Sequence, residues 1–132
     1  MKLTTEQFDA LALELDALKL QVKQHVGEAD ARYIRRVLLC QRLAAISGRV
    51  LMVLGFVTPW LWLAGVLLLA LAKILDNMEI GHNVLHGQYD WMNDPVLHSK
   101  RFEWDIACEA GSWQRTHNFE HHTYTNIIGK DR

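Results

Sequence analysis

Five of the seven histidines in this 132-residue chain fall into two tight clusters. His82 and His86 form H-x3-H, and His117, His121 and His122 form H-x3-H-H. Side chains four apart on a helix stand one above the other, so two imidazoles can reach one metal ion. On a regular helix His122 points about 100° away from His121, toward a second metal or the far side of the same one. Imidazole suits iron, zinc, copper and nickel better than magnesium or calcium. A single H-x3-H is a weak signal, because a hydrogen-bonded histidine pair has the same spacing. Two such clusters just past a long apolar run form a metal-binding pattern. Metal-bound histidine usually donates its other ring nitrogen to a carboxylate or carbonyl. Asp76, Glu79, Asp105 and Glu120 are the candidate carboxylates, and Glu79 shares a helical face with His82 and His86. His25 and His98 lack partners at ligand spacing and read as ordinary surface histidines.

Other chemistries fit poorly. A zinc protease needs H-E-x-x-H, and here Asn83 follows His82. Cys40 and Cys108 form no CxxC, so neither a zinc finger nor a secreted disulfide framework is expected. There is no G-x-S-x-G elbow and no glycine-rich phosphate loop. No aromatic-interleaved basic groove accompanies the arginines, so nucleic acid is not an expected partner. The first long apolar run begins after about 40 residues with no cleavage site before it, which argues against a signal peptide.

The elements that must position the histidines can be read from charge and hydropathy. Thr4 and Gln7 have capping-box spacing, and Phe8, Leu11, Leu15, Leu18 and Val22 recur at steps of three and four. Residues 4–26 are therefore predicted to form an amphipathic helix ending near Gly27. It would lie on the protein or a membrane surface, or self-associate as a short coiled coil. Residues 32–49 carry five arginines and no acid, and 31–42 read as a basic helix leading into a bilayer. Residues 50–72 carry no charge, and these 23 residues exceed the roughly 20 that a bilayer core requires. Either one span runs from Val50 to Ala72, or a hairpin rises through about 40–57, turns at Thr58-Pro59 and returns through 60–80. Trp60 and Trp62 beside the turn suit a membrane interface. Beyond it the chain continues through Asp76 and Glu79 to the first histidine cluster. The expected fold is all-α: N-terminal amphipathic and basic helices, a membrane segment, then helices bearing the histidines. Residues 1–30 form one division and 31–132 the other.

The segments GHNVLHGQYDWMNDP (81–95), FEWD (102–105) and HNFEHHTYTNIIGKD (117–131) resemble the membrane fatty-acid desaturases, notably the bacterial acyl-lipid or acyl-CoA type. That resemblance spans about residues 30–132. It implies that His82 and His86 belong to the first histidine box, and His117, His121 and His122 to the second. The implied cofactor is a non-haem diiron centre that uses O2 to place a double bond in an acyl chain. The hairpin is favoured, with the boxes on the cytoplasmic side of an integral membrane protein. Trp91, Trp104 and Trp113 are candidates to flank an acyl tunnel. The family uses eight or nine histidines from three boxes, and the third box is absent here. Residues 31–132 are thus expected to be a truncated desaturase domain, inactive without its C-terminal half. No H-P-G-G haem motif is present, so a separate ferredoxin or cytochrome b5 type protein would supply electrons. A hydroxylase of the same metal class, or a metal-binding membrane protein without catalysis, are the alternatives.

Overall fold

The computed structural model describes residues 3–104 and 108–131. Helices and turns make up the described residues, with no strand among them. The chain divides into two compact units, Met1–Arg35 and Arg36–Arg132.

In the first unit, α1 spans Thr5–His25. Its start is fixed locally. The Thr4 hydroxyl accepts from the Gln7 amide at 3.3 Å, and the Thr4 amide donates to the Gln7 side chain at 2.9 Å. That reciprocal pair is the expected capping box. The helix ends at Val26, whose extended backbone leaves the helical region. No residue of α1 is buried, and Phe8, Leu11, Leu15, Leu18 and Val22 all face outward.

The second helix, α2, runs unbroken over Glu28–Leu54. The basic stretch 31–42 is therefore not a separate helix. No proline or glycine interrupts it before Gly48, so the helix simply propagates. After a turn at 55–57, α3 spans Pro59–Ile74, with Thr58 extended and proline at the first helical position. Helical winding then continues to Leu85, which gives a second apolar stretch, Pro59–Leu85, of 27 residues. At 1.5 Å per residue, each stretch exceeds the ~30 Å of a bilayer core. The arrangement is a helical hairpin. Glycine sets how closely the two helices pack. A Cβ on Gly65 would stand 2.8 Å from the Gly48 carbonyl oxygen, and one on Gly48 would stand 2.8 Å from Leu69 Cγ. Such small-residue crossings are how helices associate in lipid, where no hydrophobic drive distinguishes helix from solvent. Phe56, Val57 and Trp60 at the turn are 95%, 81% and 76% exposed, an apolar tip suited to lipid rather than water.

Shorter helical pieces beyond the hairpin carry the histidines. Leu75–Gly81 is a π-helical turn, α4 is His82–Leu85, and Asp90–Met92 is a short 3-10 turn. Then come α5 (Ala110–Gln114), a second π-helical turn (Arg115–His121) and α6 (His122–Tyr124). The core lies under α4 and includes Ile80, Val84, Leu85 and Leu97, each at most 1% exposed.

Candidate metal centre

His82 and His86 stand one turn apart at the end of the long apolar helix. The helix stops directly after them because Gly87 adopts φ +73°, a conformation that side chains other than glycine resist. The Gly87 amide bonds to the Val84 carbonyl at 2.8 Å and the Gln88 amide to the Asn83 carbonyl at 3.0 Å, a Schellman closure. The chain then crosses through a pinned loop. Asp90 accepts from the Ser99 amide at 2.8 Å and its hydroxyl at 2.6 Å. Burial works to raise the Asp90 carboxyl, but the Ser99 hydrogen bonds together with His98 and Lys100 outweigh it and leave the group below its ordinary value. His98 Nδ1 lies 3.6 Å from Asp90, and its side chain is only 19% exposed. It is part of this loop rather than a surface histidine. His25 stays exposed and bonds to the Gln21 carbonyl.

Two amides dock the second cluster onto the first. Gln114 Nε2 and Asn118 Nδ2 both donate to the Leu85 carbonyl, at 3.0 and 2.9 Å. That oxygen lies in the last turn of α4, where carbonyls lack helical partners. The result brings histidines from both clusters together. The rings of His82 and His117 are 4.9 Å apart between centroids, those of His86 and His117 5.2 Å, and those of His86 and His122 5.0 Å.

Winding of the second cluster departs from a regular α-helix. The His122 amide bonds five residues back, to the His117 carbonyl. In this wider turn the fourth and fifth residues both flank the first. His121 is 5.2 Å and His122 4.9 Å from His117, ring to ring. His122 therefore faces the cluster instead of turning away from it. A π turn likewise precedes the first cluster, with the His82 amide bonded to the Asn77 carbonyl. Single π turns within helices recur at functional sites.

His82, His86 and His117 each offer a ring nitrogen, and these atoms lie within 4.8 Å of one another. With bonds of about 2.1 Å, ligand nitrogens on one ion sit roughly 3–4 Å apart, so small ring rotations would close the set. His117 Nε2 is buried and has no hydrogen-bond partner. Burial and the four neighbouring box histidines push its pKa down to about 4. Burial, with His82 and His122, lowers that of His86 as well. Imidazoles kept neutral, with a buried nitrogen left unsatisfied, fit a metal ion.

One carboxylate meets a box histidine directly: Asp131 Oδ1 accepts from His121 Nδ1 at 2.8 Å and its Oδ2 from the Asn126 amide at 2.8 Å. The Asn126 amide and then His121 hold its carboxyl below the ordinary range. Spacing could not find Asp131, since it lies ten residues from His121 across a turn where Asn126 and Gly129 take positive φ. Glu79 is exposed, and its backbone oxygen accepts from Asn83 and Tyr89. Asp76 lines a groove with Arg42 and Lys73. Glu120 is half-buried, without a histidine hydrogen bond among the described residues, and Asp105 lies outside them.

Among the tryptophans, Trp113 stacks on His117 at 4.1 Å with an 18° tilt and meets His82 edge-on at 5.3 Å. Trp104 packs against Trp113 at 5.1 Å, and its indole donates to the Cys108 carbonyl. A Cβ on Gly81 would stand 2.5 Å from Trp104, so glycine is what admits that ring. Trp91 is 43% exposed and shares no ring contact with them among the described residues.

The chain is 52% identical, over 98% of its length, to the NADPH-dependent stearoyl-CoA 9-desaturase of Mycobacterium tuberculosis. It spans 30% of the length of that relative. It is also 33% identical over 52% of its length to the sn-1 linoleoyl-lipid 6-desaturase of Synechocystis, covering 19% of it. The corresponding enzyme of Arthrospira platensis is 31% identical over 65% of the chain, which covers 23% of that enzyme. No protein-family model and no solved structure matches the chain.

Proposed function

We propose that this chain, a membrane segment belonging to the fatty-acid desaturase family, supplies the first two histidine boxes of an iron site that desaturates acyl chains with O2. The observation that carries this reading is the convergence of His82, His86, His117, His121 and His122 from two separate stretches onto one cluster. Iron there would supply the oxidising power that an unactivated methylene C–H bond demands and no side chain can provide. The chain's own residues hold and shield it. Gln114 and Asn118 fix the two helices in register through the Leu85 carbonyl. Asp131 keeps the proton on His121 Nδ1, which leaves Nε2 free to ligate. Trp113 stacks on His117 and covers one side of the cluster. Trp104 and Trp113 border the approach of the acyl chain.

We assign residues 31–132 to the desaturase domain and residues 1–30 to a separate N-terminal helix. The boxes face the cytoplasm, because Arg36 and Arg42 flank the same end of the hairpin. The substrate is an acyl chain carried on CoA or lipid, and electrons arrive from a separate ferredoxin or cytochrome b5 type donor. Five box histidines are fewer than the eight or nine implied for two irons, so turnover needs ligands from outside residues 1–132.

Anaerobic loading of the purified chain with Fe(II) tests the site. Bound iron that reacts with O2 supports the reading, and His117→Ala lowers iron affinity at least about tenfold by removing the central ligand. Tight binding of one zinc with no redox response would instead make this a metal-binding membrane protein. Membranes holding residues 1–132 alone should form no unsaturated acyl chains, and robust turnover there would refute the need for further ligands.

A further inference from the structure

The groove between α2 and α3, on the His-box side of the Gly48–Gly65 crossing, carries charge that its own lining does not balance. A cavity of about 280 Å³ opens there. Arg42 and Arg49, two turns apart on α2, line it from one side, and Lys73 and Asp76 line it from the other. Three cations against one carboxylate leave a formal excess of two positive charges. All four side chains belong to helices of bilayer-spanning length. Charge carried into a bilayer on such helices is costly unless it is paired or reaches the headgroup level. The Arg49 guanidinium bonds to the Ala45 carbonyl at 3.0 Å, one turn toward the His-box end, so the side chain reaches along the groove. Ile46, 61% exposed, and Leu69 add an apolar wall.

A cationic head above an apolar wall is the complement of an anionic amphiphile. We propose that this groove binds an anionic membrane phospholipid, its phosphate between Arg42 and Arg49 and one acyl chain along Ile46 and Leu69. Guanidinium forks match phosphate oxygens two at a time. Basic pockets between membrane helices take such headgroups. A zwitterionic lipid brings its own cation into a groove already rich in them and fits less well. The proposal rests on the hairpin lying in a membrane, not on the desaturase reading.

Native mass spectrometry of the full chain in detergent, with cardiolipin or phosphatidylcholine added, tests it. Cardiolipin is retained in preference to phosphatidylcholine. Arg42→Gln or Arg49→Gln each weakens cardiolipin binding about fivefold, and the double variant about 25-fold. Arg36→Gln, on an exposed part of α2 outside the cavity, leaves binding unchanged. Coenzyme A, a soluble phosphate ester, does not displace the lipid. Equal retention of both lipids, displacement by coenzyme A, or an equal loss in Arg36→Gln would each overturn the proposal. If Arg49→Gln does not fold, Arg42→Gln decides alone, since its side chain is exposed, and a helical variant with undiminished binding counts against the site.

Discussion

Two residues decide how the histidine cluster behaves, and a count of histidines does not reveal either role. Asp131 fixes the tautomer of His121 through a 2.8 Å hydrogen bond. Asp131→Asn removes the charge and should lower metal affinity about 10–100-fold, as loss of such outer partners does. Competition with a chelator measures it. His117 is held neutral by burial and by its histidine neighbours, with a pKa of about 4 against an ordinary 6.5. In the metal-free chain the unfolded state therefore binds a proton between those values that folded His117 refuses. Stability rises with pH wherever the unfolded state holds more protons. Its contribution is thus complete above pH 6.5 and is lost progressively as pH falls toward 4. Thermal melts of the apo chain should fall through that window, and His117→Gln should flatten the slope.

At the scale of elements, glycine positions define where helices touch. Gly65→Ala places a methyl 2.8 Å from the Gly48 carbonyl oxygen and the Met52 amide nitrogen, both backbone atoms that cannot swing aside. The helices must part, at a cost of about 1–3 kcal/mol, visible as a lower melting temperature in detergent. Gly111→Ala, in α5, meets nothing within 4 Å and should stabilise by about 0.4–1 kcal/mol through reduced unfolded-state freedom. Opposite signs from one substitution type would establish that contact, not helix propensity, governs Gly65. The π turns also belong to this scale. The one at Arg115–His121 places His121 and His122 both beside His117, where a regular helix would turn His122 away.

For the molecule as a whole, the two units separate within α2. All histidines of the cluster, their carboxylate and the docking amides lie in Arg36–Arg132. Removing residues 1–27 should therefore leave iron loading and its spectrum unchanged. Loss of loading on that deletion, with the remainder still helical, would show that the N-terminal helix supports the site.

Much of this was legible in the sequence because local rules suffice for it. Hydrophobic runs, a capping pair and Thr58-Pro59 set where helices begin and end, and the spacing of five histidines marked the metal-binding pattern. Residues four apart on one helix meet whatever the rest of the chain does. Other features depended on tertiary structure. The choice of hairpin over single span rests on glycines 17 residues apart meeting face to face. Asp131 reaches a box histidine because a turn with two left-handed residues folds the chain back on itself. The two clusters meet because amides 29 and 33 residues away find one carbonyl. Periodicity reports which side chains share a face of one element, whereas contacts between elements depend on chain paths that no single stretch encodes.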